Sequence, residues 1–507
     1  MKSSRPAAPS IPGLFAPPLA QRAQALVQEG WALHQAGQLA QALSRYEAVR
    51  KLQPRHFDAL HLSGVIALQM GRPQEAIDLI TQAIKVDRHH AMAYENRGAA
   101  CVALQQYELA LLNFNKSVAL QPQAVNGYNH RGNALAKLGQ LDAALADFDQ
   151  ALALQPAYAE AHHNRSNVLN DMGRHTDALA SSQRAAELQP DSAAVRWNLG
   201  MNALRLGNFD AGWADYEARL RHWQQTSKLA PVHATPQWTG AESLQGQRIL
   251  LHSEQGLGDT VQFSRYARLV QDLGAQVMLE TQPSLMRLLQ PALPGVELVA
   301  RGEPLPPFDT HIPLLSLPGA FKTDLRNFPP PTPLRAEPER VAAWQTRLGP
   351  KQGLRVGLTW SGNPSHVDDH RRSMALQTLL PLITDDIAWL SLHKDVRDTD
   401  LPVLQAHPEI AHHGETQADF RDAAAMCELV DVVVCVDTSI AHVAASLGKP
   451  VWLLLAHHAD WRWLTQRTDS PWYPSLTLYR QTKPGDWDEV LAKVKADLQQ
   501  MKASLRA

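Results

Sequence analysis

The chain of 507 residues is short of cysteine, of net charge and of long apolar runs. Its three cysteines, Cys101, Cys427 and Cys435, have the spacing of neither a zinc site nor the disulfide framework of a small secreted domain. A net charge of −2 argues against generic attraction to nucleic acid. No apolar run reaches the ~18 residues that a bilayer span needs. The opening MKSSRPAAPSIPGLFAPPLA has no sustained apolar core and reads as a poor signal peptide. Residues 1–20 are expected to form a disordered leader, and the expected compartment is the cytoplasm. Tryptophan is almost missing from the first part: of 13, only Trp31 precedes residue 197. That shift in composition places a change of architecture near residue 225. The length suggests roughly three or four domains.

What the chain does have is a period. From residue 21 to 223 small residues recur every 34 positions, as Gly30, Gly64, Gly98, Gly132, Ser166 and Gly200. Seven residues after each stand Gly37, Gly71, Gln105, Gly139, Gly173 and Gly207, and twelve after stand Ala42, Ala76, Ala110, Ala144, Ala178 and Gly212. Pro54, Pro122, Pro156 and Pro190 mark unit ends, with Arg88 in the same register. The pattern predicts six helix–turn–helix units. In each, a small residue lets paired helices approach, a glycine ends the first helix and a proline marks the next boundary. The sixth unit, with Gly212 for Ala and an added Trp213, suits a terminal unit docking on a neighbouring domain. Such arrays stack into a curved solenoid with a concave groove. Asn96, His130, Asn164 and Asn198 share one row of it. The asparagines carry both a donor and an acceptor for the backbone of an extended peptide. Plain polar helix-face residues are the alternative.

Residues 224–247 read as a linker anchored by Trp238. Beyond it, short apolar runs alternate with helical patterns, which predicts parallel sheets with crossover helices. The Pro-rich stretch after Phe328 divides this region into halves 248–335 and 336–507, with a final helix at the end. Ligands of such sheets sit at the carboxyl ends of the strands. Three loops occupy those positions. One is Glu254–Thr260, where Gly256 and Gly258 form a turn into a helix and Asp259 with Gln262 resembles a capping box. The second is WSGNP from Trp360, running on to Arg371, Arg372 and Ser373. The third is Asp437–His442. There Thr438 and Ser439 can cap a helix and leave its first amides for a phosphate, His442 can face the same anion, and Asp437 can meet a ribose or sugar. Helix capping alone is the plainer reading. The pairs Asp147/Asp149 and Asp398/Asp400 read as solvated faces. Adjacent histidines such as His412–His413 point apart, so no metal site is expected.

The 34-residue period resembles the tetratricopeptide repeat. GLGD before an amphipathic helix, WSGNP…RRS and DTSIAHVAASLGKPVWLLL together resemble the heptosyltransferase-like glycosyltransferases of family nine, over about 248–505. That resemblance implies a two-Rossmann-domain (GT-B) enzyme using a nucleotide-diphosphate sugar as co-substrate, with no other cofactor. It implies Asp259 as general base on the acceptor side, beside the turn of Gly256 and Gly258. It also implies that Asp437, Thr438, Ser439 and His442 contact the donor nucleotide. The family commonly has Gly where this chain has Ser439, and its phosphate-binding Lys is not evident in WSGNP. Arg372, Arg371 and Lys394 are the cations at hand for a departing diphosphate. The pairing of repeats with such a half is also similar in architecture to protein O-linked N-acetylglucosamine transferases, without a residue-level match.

The expected protein is thus a helical solenoid followed by two Rossmann-like halves. It would move a sugar to an acceptor, a protein or peptide held by the repeats, with no role for nucleic acid. The alternative is a tetratricopeptide scaffold or adaptor whose α/β half is catalytically silent. Donor sugar, nucleotide base and stereochemical course stay open.

Overall fold

A computed structural model describes residues 19–227, 233–366 and 369–505. The expected leader lies almost wholly outside them. The chain divides into two compact units, one ending at Val168 and one beginning at Leu169.

In the first unit, four helix pairs run from Leu19–Gln35 with Leu39–Leu52 to Val125–Lys137 with Leu141–Leu154. These are tetratricopeptide helices, and the packing explains the period. A Cβ on Gly30 would come within 2.6 Å of the Tyr46 ring, on Gly64 within 2.5 Å of Ile80, on Gly98 within 2.5 Å of Phe114 and on Gly132 within 2.8 Å of Phe148. Each glycine therefore takes the knob sixteen residues downstream. Ser166 is the exception, and the residue sixteen on from it is the small Ser182. The turn position has φ between 73° and 80° at Gly37, Gly71, Gly139, Gly173 and Gly207. Gln105 takes the same left-handed conformation, with φ 58°. Arginines follow the period too. Arg97 donates to Asn113 Oδ1 (2.7 Å), Arg131 clamps Asp147 (2.6 and 2.7 Å) and Arg165 reaches Asp149 (2.6 Å). Asp147 is buried, so its reading as a solvated face is corrected: Arg131 supplies the fork that lets it leave water.

The second unit holds the remaining repeat helices, including Ala193–Arg205, Phe209–Tyr216 and Ala218–Thr226, and two parallel sheets. The first sheet has β1 (Arg248–His252), β2 (Gln276–Thr281), β3 (Glu297–Ala300) and β4 (Thr310–Pro313) in the order β3-β2-β1-β4. The second has β5 (Arg355–Thr359), β6 (Ala388–Ser391), β7 (Ile410–His412), β8 (Val432–Val436), β9 (Val451–Leu455) and β10 (Leu476–Arg480), ordered β10-β9-β8-β5-β6-β7. The strands lie where alternating apolar runs put them. Helices are less regular. The helical stretch after the GLGD turn is two helices, Leu257–Phe263 and Tyr266–Asp272. After Arg372 the helix is one turn, Leu376–Leu379, followed by a 3-10 turn containing Pro381.

One core joins both sheets. Val261, Phe263 and Tyr266 pack with Ile440, Val443, Met426 and Trp463. The opposite face of the second sheet, with Val356, Val432 and Val434, is covered by Val490, Leu491, Val494 and Leu498 of the final helix. The sixth repeat docks as its composition suggested. Trp213 is buried, its Nε1 donates to the Thr323 carbonyl at 2.7 Å, and its ring meets Trp461 edge-on. Trp238 is buried as well and donates its backbone N–H to the His311 carbonyl at 2.8 Å.

Candidate functional site

Chain order reverses between β5 and β8 in the second sheet, and ligands of such sheets bind at the carboxyl ends of the strands at that point. The WSG and DTS loops leave from those two strand ends. Arg372 links them, its guanidinium donating to the Asp437 carbonyl at 3.0 Å. Asp369, buried beside it, pairs with Arg397 and accepts from Ser373 at 2.7 Å. Asp368 lies outside the described residues. Arg371 is used elsewhere: it forks onto Asp171 at 2.6 and 3.0 Å. Lys394 donates to the Ala418 carbonyl at 3.2 Å.

Asp437 is the centre of the loop. Its carboxylate accepts from Trp463 Nε1 at 2.7 Å. Burial, with Asp460 beside it, pushes the carboxyl up to about 6, against the pull of Trp463, Arg372 and Arg462. Thr438 precedes the helix Ser439–Ser446 but makes no side-chain cap, and its buried hydroxyl has no hydrogen-bond partner. His442 is buried, with Nδ1 3.1 Å from the Tyr473 hydroxyl. Burial, then nearby Arg462 and Arg265, pushes it down to about 3, so it is a neutral ring and not a cation for phosphate.

The GLGD turn from the first sheet meets this loop directly. A Cβ on Gly258 would lie 2.7 Å from His442 Cδ2. Asp259 accepts from the Gly256 N–H at 2.7 Å with one oxygen and pairs with Arg462 through the other. The cap is therefore Asp259 accepting from the Gly256 N–H, with no return bond because glycine has no side chain, and not Asp259 with Gln262, because the helix starts at Leu257. Gln262 instead accepts from Arg462 Nε at 3.1 Å.

Arg462 ties the turn to the loop that follows β9. It bridges Asp259, Asp460 (2.8 Å) and Gln262, and lies over the Trp461 ring at 4.6 Å. Burial works against its charge, but Asp460 and Asp259 outweigh that and raise its pKa. Burial likewise works to raise Asp460, yet Arg462 holds it below the ordinary carboxylate value. The aromatics around it, Trp461, Trp463, Trp472 and Tyr473, are all buried and form a packed plug. Behind the turn, Glu254 and Arg219 make a buried bidentate pair at 2.7 and 3.0 Å. Asp400 is buried too, accepting from Trp360 Nε1 (2.9 Å) and Leu376 N–H (3.0 Å), which corrects its reading as a solvated face.

The asparagine row is engaged within the array. Asn96 Nδ2 is 2.9 Å from His61 Nε2, Asn164 donates to Asn129 at 3.0 Å, and Asn198 accepts from Asn202 at 3.1 Å. Two of these bonds span 35 residues, so the amides tie one repeat to the next. A further group went unseen in the sequence: His233, His252 and His311, far apart in the chain, converge on the first sheet. Burial, with the neighbouring histidines, lowers His311 to about 4 and His252 well below its ordinary value.

Models of the tetratricopeptide repeat match residues 27–80, 62–125 and 164–225, and another repeat model matches 132–170. A model of glycosyltransferase family 9 (heptosyltransferase) matches residues 414–484, which include the Asp437 loop and Arg462. Protein FlbA of Caulobacter vibrioides is 26% identical over 346 residues, covering 62% of this chain and 56% of FlbA. The match thus spans a little over half the length of that curated relative. Among solved structures, pilF of Pseudomonas aeruginosa is 18% identical with TM-score 0.37, covering 41% of this chain and 95% of pilF. YrrB, a tetratricopeptide protein with an unusual peptide-binding site, is 23% identical with TM-score 0.31, covering 35% of this chain and 91% of YrrB. The chain carries tetratricopeptide repeats and a glycosyltransferase-like C-terminal region. Among the described residues no helix is long and apolar enough to cross a membrane.

Proposed function

We propose that the chain is a cytoplasmic GT-B glycosyltransferase, working without a metal at its transfer site. It moves a sugar from a nucleotide-diphosphate sugar to a protein or peptide delivered by the repeats. One observation carries the reading. Three loops from the strand ends of two parallel sheets meet one another, with Arg372 on the Asp437 carbonyl, Gly258 against His442 and Asp259 on Arg462.

The roles follow from the chemistry. Arg372, the Thr438 hydroxyl and the first amides after Ser439 face a diphosphate, whose charge grows as the sugar leaves. Asp437 takes a ribose or sugar hydroxyl. Lys394 would have to leave the Ala418 carbonyl to join them. Asp259 takes the proton of the acceptor hydroxyl, which requires Arg462 to swing from it when substrates enter. Asn96, Asn164 and Asn198 would grip a peptide only by exchanging bonds they now make within the array.

The scaffold reading has an observation of its own: both oxygens of Asp259 are occupied. Calorimetric titration with a panel of nucleotide-diphosphate sugars separates the two. At least one donor should bind, and Arg372→Ala should weaken it by at least about tenfold, roughly one charge-assisted hydrogen bond. No binding by any donor would sink the enzyme reading.

A further inference from the structure

We infer that His233, His252 and His311 form a binding site for one divalent transition-metal ion of the zinc class, apart from the three loops assigned to sugar transfer. One ring nitrogen from each lies within 4.8 Å of the others. The fold brings them together from three segments. His252 closes β1, and His311 lies opposite Leu250 in β4. Residues two apart share a sheet face, so both histidines project to the same side. The stretch carrying His233 is stitched to β4 by the bridge of Gln237 with His311 and by Thr310 Oγ1 donating to the Pro236 carbonyl at 2.8 Å.

The spacing suits coordination. His252 Nε2 and His311 Nδ1 are 3.1 Å apart, and two nitrogens on one tetrahedral zinc are about 3.3 Å apart. The His233 ring centre is 4.6 Å from that of His311 and 5.0 Å from that of His252. Hydrogen bonding leaves the group unfinished. His233 Nε2 is buried with no hydrogen-bond partner. His252 is only 3% exposed. Buried polar atoms are rarely left so without a reason. An ion accepting the lone pairs of the cluster supplies one. Three imidazoles without a carboxylate or thiolate select zinc, cobalt, nickel or copper over magnesium and calcium. His252 and His311 also line a cavity of about 400 Å³ shared with Arg196 and Arg221. A fourth coordination position would open onto it, where Glu217 also lines the wall and Arg196 is paired with Asp215. None of these histidines touches Asp437 or Asp259 in the contacts above, so the site does not depend on the transferase reading.

The test uses the untagged full chain, stripped with chelator and titrated with cobalt(II) chloride. One ion per chain should bind, giving the intense visible bands of four-coordinate cobalt, and zinc chloride should displace it. His233→Ala and His311→Ala should each weaken binding by about 100-fold or more, since even a lost partner behind a ligand costs about 10–100-fold. The distant His89→Ala should bind as wild type does. A second arm needs no variant to fold: zinc should shield His233 and His311 of the wild-type chain from diethyl pyrocarbonate, read by mass spectrometry. Absence of stoichiometric binding, binding that survives in both variants, or labelling of both residues unchanged by zinc would each overturn the assignment.

Discussion

Gly258 and His442 face each other across the two sheets so closely that a single methyl on Gly258 would stand 2.7 Å from His442 Cδ2. His442 cannot step aside, since its ring is buried and sits 3.1 Å from the Tyr473 hydroxyl. Gly258→Ala should therefore push the helix Leu257–Phe263 off the helix Ser439–Ser446 and destabilise the chain by about 1–3 kcal/mol, the usual cost of overpacking. Urea denaturation checks this. In a double-mutant cycle with His442→Ala the two losses should fall short of additive; strict additivity would mean that the methyl clashes with something else.

Arg462 should matter more than any single carboxylate around it. Its loss strands Asp259 and Asp460, whose side chains are 18% and 36% exposed; breaking a fully buried pair costs about 3–5 kcal/mol, and solvent at these carboxylates cuts that to about 1–3 kcal/mol. Arg462→Ala should show that loss in denaturant melts. Arg462→Lys should recover only part of it, because an ammonium cannot serve Asp259, Asp460 and Gln262 with one planar fork.

Asp437 gives a pH signature. Its carboxyl is raised to about 6 in the folded chain, from an ordinary value near 3.8. The folded state therefore holds a proton that the unfolded state has lost. Stability from this group is full below about pH 4 and is lost as pH rises through 6. Asp437→Asn keeps an acceptor for Trp463 and removes the ionisation. It should gain on wild type by about 3 kcal/mol at pH 8, with the gain vanishing near pH 4. A difference in melting behaviour that ignores pH would contradict the assignment.

Gln105 should be improvable. It holds the left-handed turn that glycine holds in the other repeats, with φ 58°. Gln105→Gly should stabilise the chain by roughly 0.5–1 kcal/mol, the relief of Cβ strain less the entropy that glycine loses. Gly71→Ala should cost about 1 kcal/mol from conformation alone, because nothing lies within 4 Å of the new Cβ. Thermal melts of the two variants should move in opposite directions.

The repeats and strands were legible because their causes are local and recur. Gly30 with Tyr46 and Gly98 with Phe114 enact one contact at one spacing, and the period prints that contact in the sequence. The site loops were legible from their positions at strand ends. The partners were not. Arg462 and Asp259 are 203 residues apart, and no local pattern announces that they pair. His233, His252 and His311 stand singly in segments with no metal-ligand spacing, and they are united by the register of β1 with β4 and by the Gln237–His311 bridge. Asp147 and Asp400 read as exposed because two acids one residue apart look solvated until a buried partner is known.

The central claim is sugar transfer, and turnover tests it most directly. The full chain would be incubated with nucleotide-diphosphate sugars and a cell lysate as acceptor, with release of nucleoside diphosphate and mass gain of the acceptor read by mass spectrometry. At least one donor should be consumed with matching acceptor gain, and Asp259→Asn should cut the rate by about 100-fold or more while donor affinity holds, as loss of a general base does. Unchanged turnover in Asp259→Asn would remove that residue from the mechanism, and no turnover with any donor would contradict the account.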